Sequence, residues 1–114
     1  MSPTPSIELN IPCPGNPTGG LFVEVLEDGQ HYRLERPYAV RVEGVLIVAP
    51  AGMETDFASV PRAFWRLVPP AGPYSRAAVI HDWLYRSGLV PRAQADRIFR
   101  ELMRAMGVEP WRRE

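Results

Sequence analysis

Four side chains in the second half of the chain have the types and spacing for acid–base chemistry: His81, Asp82, Tyr85 and Asp96. His81 and Tyr85 stand four apart, which places them on one side of a helix, while Asp82 lies about 100° around from His81. Ala77, Leu84 and Gly88 share the face of His81, so the imidazole looks toward an apolar surface, where a polar ring needs a partner. Asp96, on the same side of the next helical stretch as Phe99 and Met103, is the one acid there placed to face inward. A carboxylate that accepts from one imidazole nitrogen fixes the tautomer and leaves the other nitrogen as a general base. Asp82 points elsewhere and is expected to ligate a hard cation, Ca²⁺, which takes carboxylate oxygens. A base beside a Lewis acid is the equipment for attack of water on an ester or amide carbonyl.

Two helices must position these groups. Ser75 reads as an N-cap, residues 76–87 as a helix closed by Gly88, and Pro91 as the opening of a last helix that runs to Met106 and stops at Gly107. The connection from Gly88 to Pro91 is short, so the two helices pack antiparallel, and the middle of the first meets the early middle of the second. In the second helix Ala95, Ile98, Leu102 and Ala105 form an apolar stripe flanked by Phe99, Met103 and Met106, while Arg97, Arg100, Glu101 and Arg104 make the wet side.

Upstream, the pattern alternates with a period of two. Leu21 to Leu26 and Tyr32 to Glu35 flank Asp28-Gly29, a hairpin signal, and runs at Tyr38 to Glu43 and Val45 to Val48 are joined at Gly44. These predict a small antiparallel meander that serves as scaffold. Residues 1–20 carry five prolines and three glycines, a composition that resists helix and central strand and predicts an extended arm. Ser59-Val60-Pro61 suits the start of a short helix through Leu67, ended by Pro69-Pro70. The expected fold is α+β: a small antiparallel sheet from the N-terminal half packed with two to three C-terminal helices. The expected organisation is a Pro/Gly-rich arm over 1–20, one domain over 21–109 and a tail over 110–114.

The run Ala77-Ala78-Val79-Ile80-His81-Asp82-Trp83-Leu84-Tyr85-Arg86, followed by Arg92 and Asp96-Arg97-Ile98-Phe99, resembles the two-helix active site of phospholipases of the A-two type. That resemblance implies His81 as the base that activates water, Asp82 as a calcium ligand, Asp96 as the acid that orients His81, and Tyr85 as a support for the pair. The loop ahead of the first helix reads Pro70-Ala71-Gly72-Pro73, a departure from the glycine-rich calcium loop of that family. Together with Gly52-Met53-Glu54-Thr55-Asp56-Phe57-Ala58-Ser59-Val60-Pro61-Arg62 and Trp65, the chain more specifically resembles a DUF1353-like family of small phage and prophage proteins over roughly residues 20–108. That resemblance implies a viral origin and no assigned activity.

Composition narrows the classes further. With 114 residues, thirteen basic and thirteen acidic side chains and a formal net charge of zero, no global field attracts a polyanion, and no nucleic-acid partner is expected. Cys13 is the single cysteine, so no internal disulfide forms. The longest apolar stretch, Val45 to Ala51, is interrupted by Pro50 and is far short of the ~20 residues that span a bilayer. Met1 to Gly20 has no basic start and no apolar middle, so a secretory signal is not expected. The expected location is the cytoplasm of a bacterial host, with association to a virion as a second destination.

Two functions from different classes follow. The first is a metal-assisted hydrolase-like site acting on a phospholipid or another envelope ester or amide, with His81, Asp96 and Tyr85 as its catalytic set and Asp82 and Asp56 as metal ligands. The second is a non-catalytic virion or assembly component, tail, neck or capsid-associated, in which the same residues form a buried polar network and the arm docks on other phage structural proteins or a second copy of the chain. Asp56 and Ser59 also read as a turn and an N-cap; their alternatives are an oxygen ligand and a nucleophile beside His81. A zinc site on His81, Asp82 and Asp56 is a third arrangement, short of nitrogen and sulfur donors.

Overall fold

A computed structural model describes residues 6–29, 31–55 and 75–106. The chain divides into two compact units, Met1–Asp56 and Phe57–Glu114, and the described elements make an α+β fold. The first unit carries β1 (Ile7–Glu8), β2 (Val23–Val25), β3 (Tyr32–Leu34), β4 (Tyr38–Val42), β5 (Val45–Ala49) and β6 (Glu54–Thr55); the second carries α1 (Ser75–Ser87) and α2 (Arg92–Ala105).

Both predicted hairpins form. In the first, the Gly29 amide closes the turn on the Leu26 carbonyl at 2.9 Å, and the Asp28 carboxylate accepts from the His31 amide at 2.9 Å and pairs with the His31 ring. In the second, Glu43 and Gly44 both have positive φ (50° and 81°), as a two-residue turn of the twist-matched kind demands, and Val42 pairs with Val45. The hairpins do not join into the single meander expected from the alternating pattern. There are two three-stranded antiparallel sheets, ordered β1-β4-β5 and β2-β3-β6. Pro37, which lacks an amide to donate, precedes β4, and each sheet is completed by a two-residue strand distant in sequence. Two residues are too few to show a period of two.

The stretch read as an arm runs along this unit where it is described. Ile7 pairs with Val42, the Ile11 amide donates to the Ala39 carbonyl at 3.0 Å, and Cys13 and Asn16 exchange backbone bonds across a turn. Asn16 is fully buried. Its amide nitrogen donates to the Gly20 and Pro37 carbonyls, each at 2.8 Å, and its oxygen accepts from the Gly19 amide at 3.2 Å. The Tyr38 hydroxyl, also without exposed surface, donates to Asn10 at 2.7 Å. The prolines and glycines therefore shape turns around a polar node, and the buried groups there are satisfied. On the exposed face of the second sheet Arg33 reaches Glu24 and Glu54, each at 3.2 Å, across both neighbouring strands.

In the second unit the expected helices form with small shifts. Ser75 is the first residue of α1 and is buried. Gly88 ends α1 with φ 67° and a bond from its amide to the Leu84 carbonyl at 3.2 Å. Pro91 caps α2 without a side-chain bond, its carbonyl accepting from the Gln94 and Ala95 amides. Ala95, Ile98, Phe99, Leu102 and Met103 are buried; Ala105, expected in the stripe, is exposed in the last turn. The short helix expected from Ser59 and the stop at Gly107 lie outside the described residues.

The close approach at Gly19 yields a sharp expectation. A Cβ there would sit 2.2 Å from the Asn10 carbonyl oxygen, whereas one at Gly44 would meet nothing within 4 Å. Both have positive φ, so Gly44→Ala is expected to cost the backbone term alone, about 1–2 kcal/mol. Gly19→Ala is expected to cost clearly more, measured as the difference in urea midpoint between the two variants.

Candidate active site

Both helices of the second unit contribute to one cluster. The contacts run in opposite directions along the two chains: Tyr85 meets Arg92, and His81 meets Asp96 and Phe99, so the helices are antiparallel as the short connection requires. Gly88 breaks α1 by taking a left-handed φ, and Ser87 bonds the Leu84 carbonyl and the Leu89 amide to tie the turn. Tyr85 and Arg92 thus face each other just beyond the turn, and one helical turn further on His81 faces Asp96.

His81 Nε2 lies 2.7 Å from Asp96 Oδ1. A carboxylate only accepts, so Nε2 carries the hydrogen and donates, and in the neutral ring Nδ1 holds the lone pair. The imidazole has no exposed surface, and 35% of the Asp96 side chain is exposed, so the bond links a buried ring to a carboxylate at the margin of the helix pair. Two aromatic rings touch the imidazole: Tyr85 at 5.2 Å and Phe99 at 5.1 Å between centroids. The Arg92 guanidinium lies over the Tyr85 ring at 5.1 Å, within the range of a cation–π contact.

Nδ1 is different. It is buried and has no hydrogen-bond partner among the described residues. A buried polar atom left in that state costs about 1–3 kcal/mol.

Asp82, expected to be open to a cation, is buried, with Oδ2 3.2 Å from Arg86 Nε. That ion pair joins residues four apart on one helix, a spacing visible in the sequence that the reading of Asp82 as a ligand passed over. A calcium ion would have to take the carboxylate from the guanidinium, so the residues described do not fit a ready-made calcium site. Asp56, the second expected ligand, and Ser59 lie outside the described residues. Among the described residues no three of His, Cys, Asp and Glu gather around a common point. The structure thus brings together His81, Asp96 and Tyr85 and sets Asp82 beside Arg86. Sequence reasoning missed Phe99 as a neighbour of the ring, although it stands three residues after Asp96 and therefore on the same side of α2.

The model of the family described as "Protein of unknown function (DUF1353)" matches residues 32–114, which include β3 through β6 and both helices. An uncharacterized protein, y4jT, of Sinorhizobium fredii is 37% identical over 65 residues, 55% of this chain and 19% of that protein. The chain therefore spans about a fifth of the length of this curated relative. No solved structure matches. No helix among the described residues is long and apolar enough to cross a membrane.

The interhelical bond is measurable by a double-mutant cycle. His81→Ala, Asp96→Ala and the double variant are expected to show a coupling of about 1–3 kcal/mol in denaturant unfolding; a value near zero would mean the two groups do not bond in solution.

Proposed function

The chain belongs to the DUF1353 family, and from the geometry of its helix pair we propose that it is a small phage-type hydrolase acting on an ester or amide of the cell envelope, a phospholipid among them. The observation that carries this reading is the placing of the imidazole: one nitrogen is bonded to a carboxylate, and the other is a buried atom with no hydrogen-bond partner among the described residues. A histidine kept only for packing gains nothing by leaving Nδ1 unmet, whereas a general base needs that atom free. The reaction requires the helix pair to open enough to admit water and the substrate carbonyl to the buried ring; Nδ1 then takes a proton from water as the water oxygen bonds to the carbonyl carbon. Asp96 holds the ring and offsets the charge of the imidazolium that forms. Collapse of the tetrahedral intermediate expels the alkoxide or amine, to which the imidazolium returns the proton. Tyr85 supports the ring through its aromatic contact.

A second reading rests on a specific observation, the absence of exposed surface on the His81 ring. A buried ring bonded across two helices serves equally to lock them, as a non-catalytic component of a phage tail, neck or capsid would require.

The test is hydrolysis of a chromogenic short-chain ester and of phospholipid vesicles by the purified protein. His81→Asn is expected to lower the rate by about 10²–10⁴-fold, the share of a general base, and Asp96→Asn to lower it less, with both variants folded. If the wild type hydrolyses none of these, or if folded His81→Asn works as fast, the hydrolase reading is overturned and the locking role replaces it. The metal-assisted form is tested separately by adding calcium. A rise in Tm that Asp82→Asn abolishes supports a cation displacing Arg86; no rise in the wild type removes the metal from the proposal.

A further inference from the structure

We infer that Phe99 is a positioning residue, which sets the direction in which His81 presents Nδ1. The inference rests on the reading of His81 as a base, but its physical content is the orientation of the ring. The torsion that turns an imidazole about its Cβ–Cγ bond is broad. The bond from Nε2 to Asp96 selects one of its two wells without narrowing it, because a hydrogen bond tolerates tens of degrees of tilt. Rocking within that well swings Nδ1 sideways while Nε2 keeps its bond.

Something else must stop the rocking, and the rings are placed to do so. Phe99 has no exposed surface and its ring centre is 5.1 Å from that of the imidazole, tilted by 53°. Tyr85, from the same helix as His81, stands at 5.2 Å and 33°. These separations fall in the range where aromatic pairs have a preferred geometry. Asp96 and Phe99 share one side of α2, three residues apart, so one helix supplies both the acceptor that selects the tautomer and the ring that restrains the plane. Tyr85 is only partly buried, which makes Phe99 the more fully enclosed of the two neighbours.

The experiment compares Phe99→Leu with Leu102→Val, a second buried position of α2 that leaves both rings in place. In ¹⁵N-labelled protein the wild type is expected to give one set of His81 ring signals, with the proton on Nε2. Leu102→Val is expected to keep that pattern and the wild-type kcat, even where it lowers Tm. Phe99→Leu is expected to broaden or shift the Nδ1 signal and to lower kcat by about tenfold to a hundredfold, the cost of a misplaced reacting group, with KM unchanged. Phe99→Met, whose unbranched side chain adapts to the space the ring leaves, takes its place if Phe99→Leu does not fold. Ring signals in the Phe99 variant that match those of Leu102→Val overturn the positioning role. Altered ring signals in a protein whose wild type hydrolyses nothing uphold the positioning role and remove the hydrolase reading instead.

Discussion

An imidazole sealed from water has two nitrogens to account for, and the second unit is arranged around that requirement. The Gly88 break and the Pro91 start fold α2 back along α1 within a few residues. The helical period then sets Asp96 opposite His81 and brings Phe99 to the same ring. Moving Asp96 by one position along α2 would turn its carboxylate about 100° away and leave Nε2 to face an apolar helix.

The two units treat buried polar side chains in contrasting ways. Asn16 spends its amide on two carbonyls and its oxygen on a backbone amide, so the turn around it is a closed account of donors and acceptors. His81 is as deeply buried, yet only one of its two polar atoms meets a partner among the described residues. Packing explains the first arrangement completely. The second keeps in reserve an atom whose chemistry packing does not use, and this contrast directs the functional reading to the helix pair.

What the sequence disclosed follows the range of the signals involved. The two hairpins, the helix pair and the approach of Asp96 to His81 depend on turn residues and on periods of two and 3.6, all of which act within about fifteen residues. The pairing of Ile7 with Val42, the role of Asn16 and the division into two sheets depend on partners far apart in the chain, and strands of two residues carry no periodicity to announce them. Asp82 is a different case. Its Arg86 partner stands four residues on, a spacing that brings the two side chains together on one helix, so a cation at Asp82 has to compete with that ion pair.

The chain separation of the central contact has a consequence for how the molecule is made. His81 and Asp96 are 15 positions apart, and a loop of that size closes at small entropic cost, whereas a strand pair such as Ile7 with Val42 must gather a much longer length of chain. Local contacts of this kind form rapidly, and contacts with low sequence separation dominate fast folding. Closing the helix hairpin therefore confines less chain than pairing Ile7 with Val42, and the His81–Asp96 contact carries the lower entropic cost of the two.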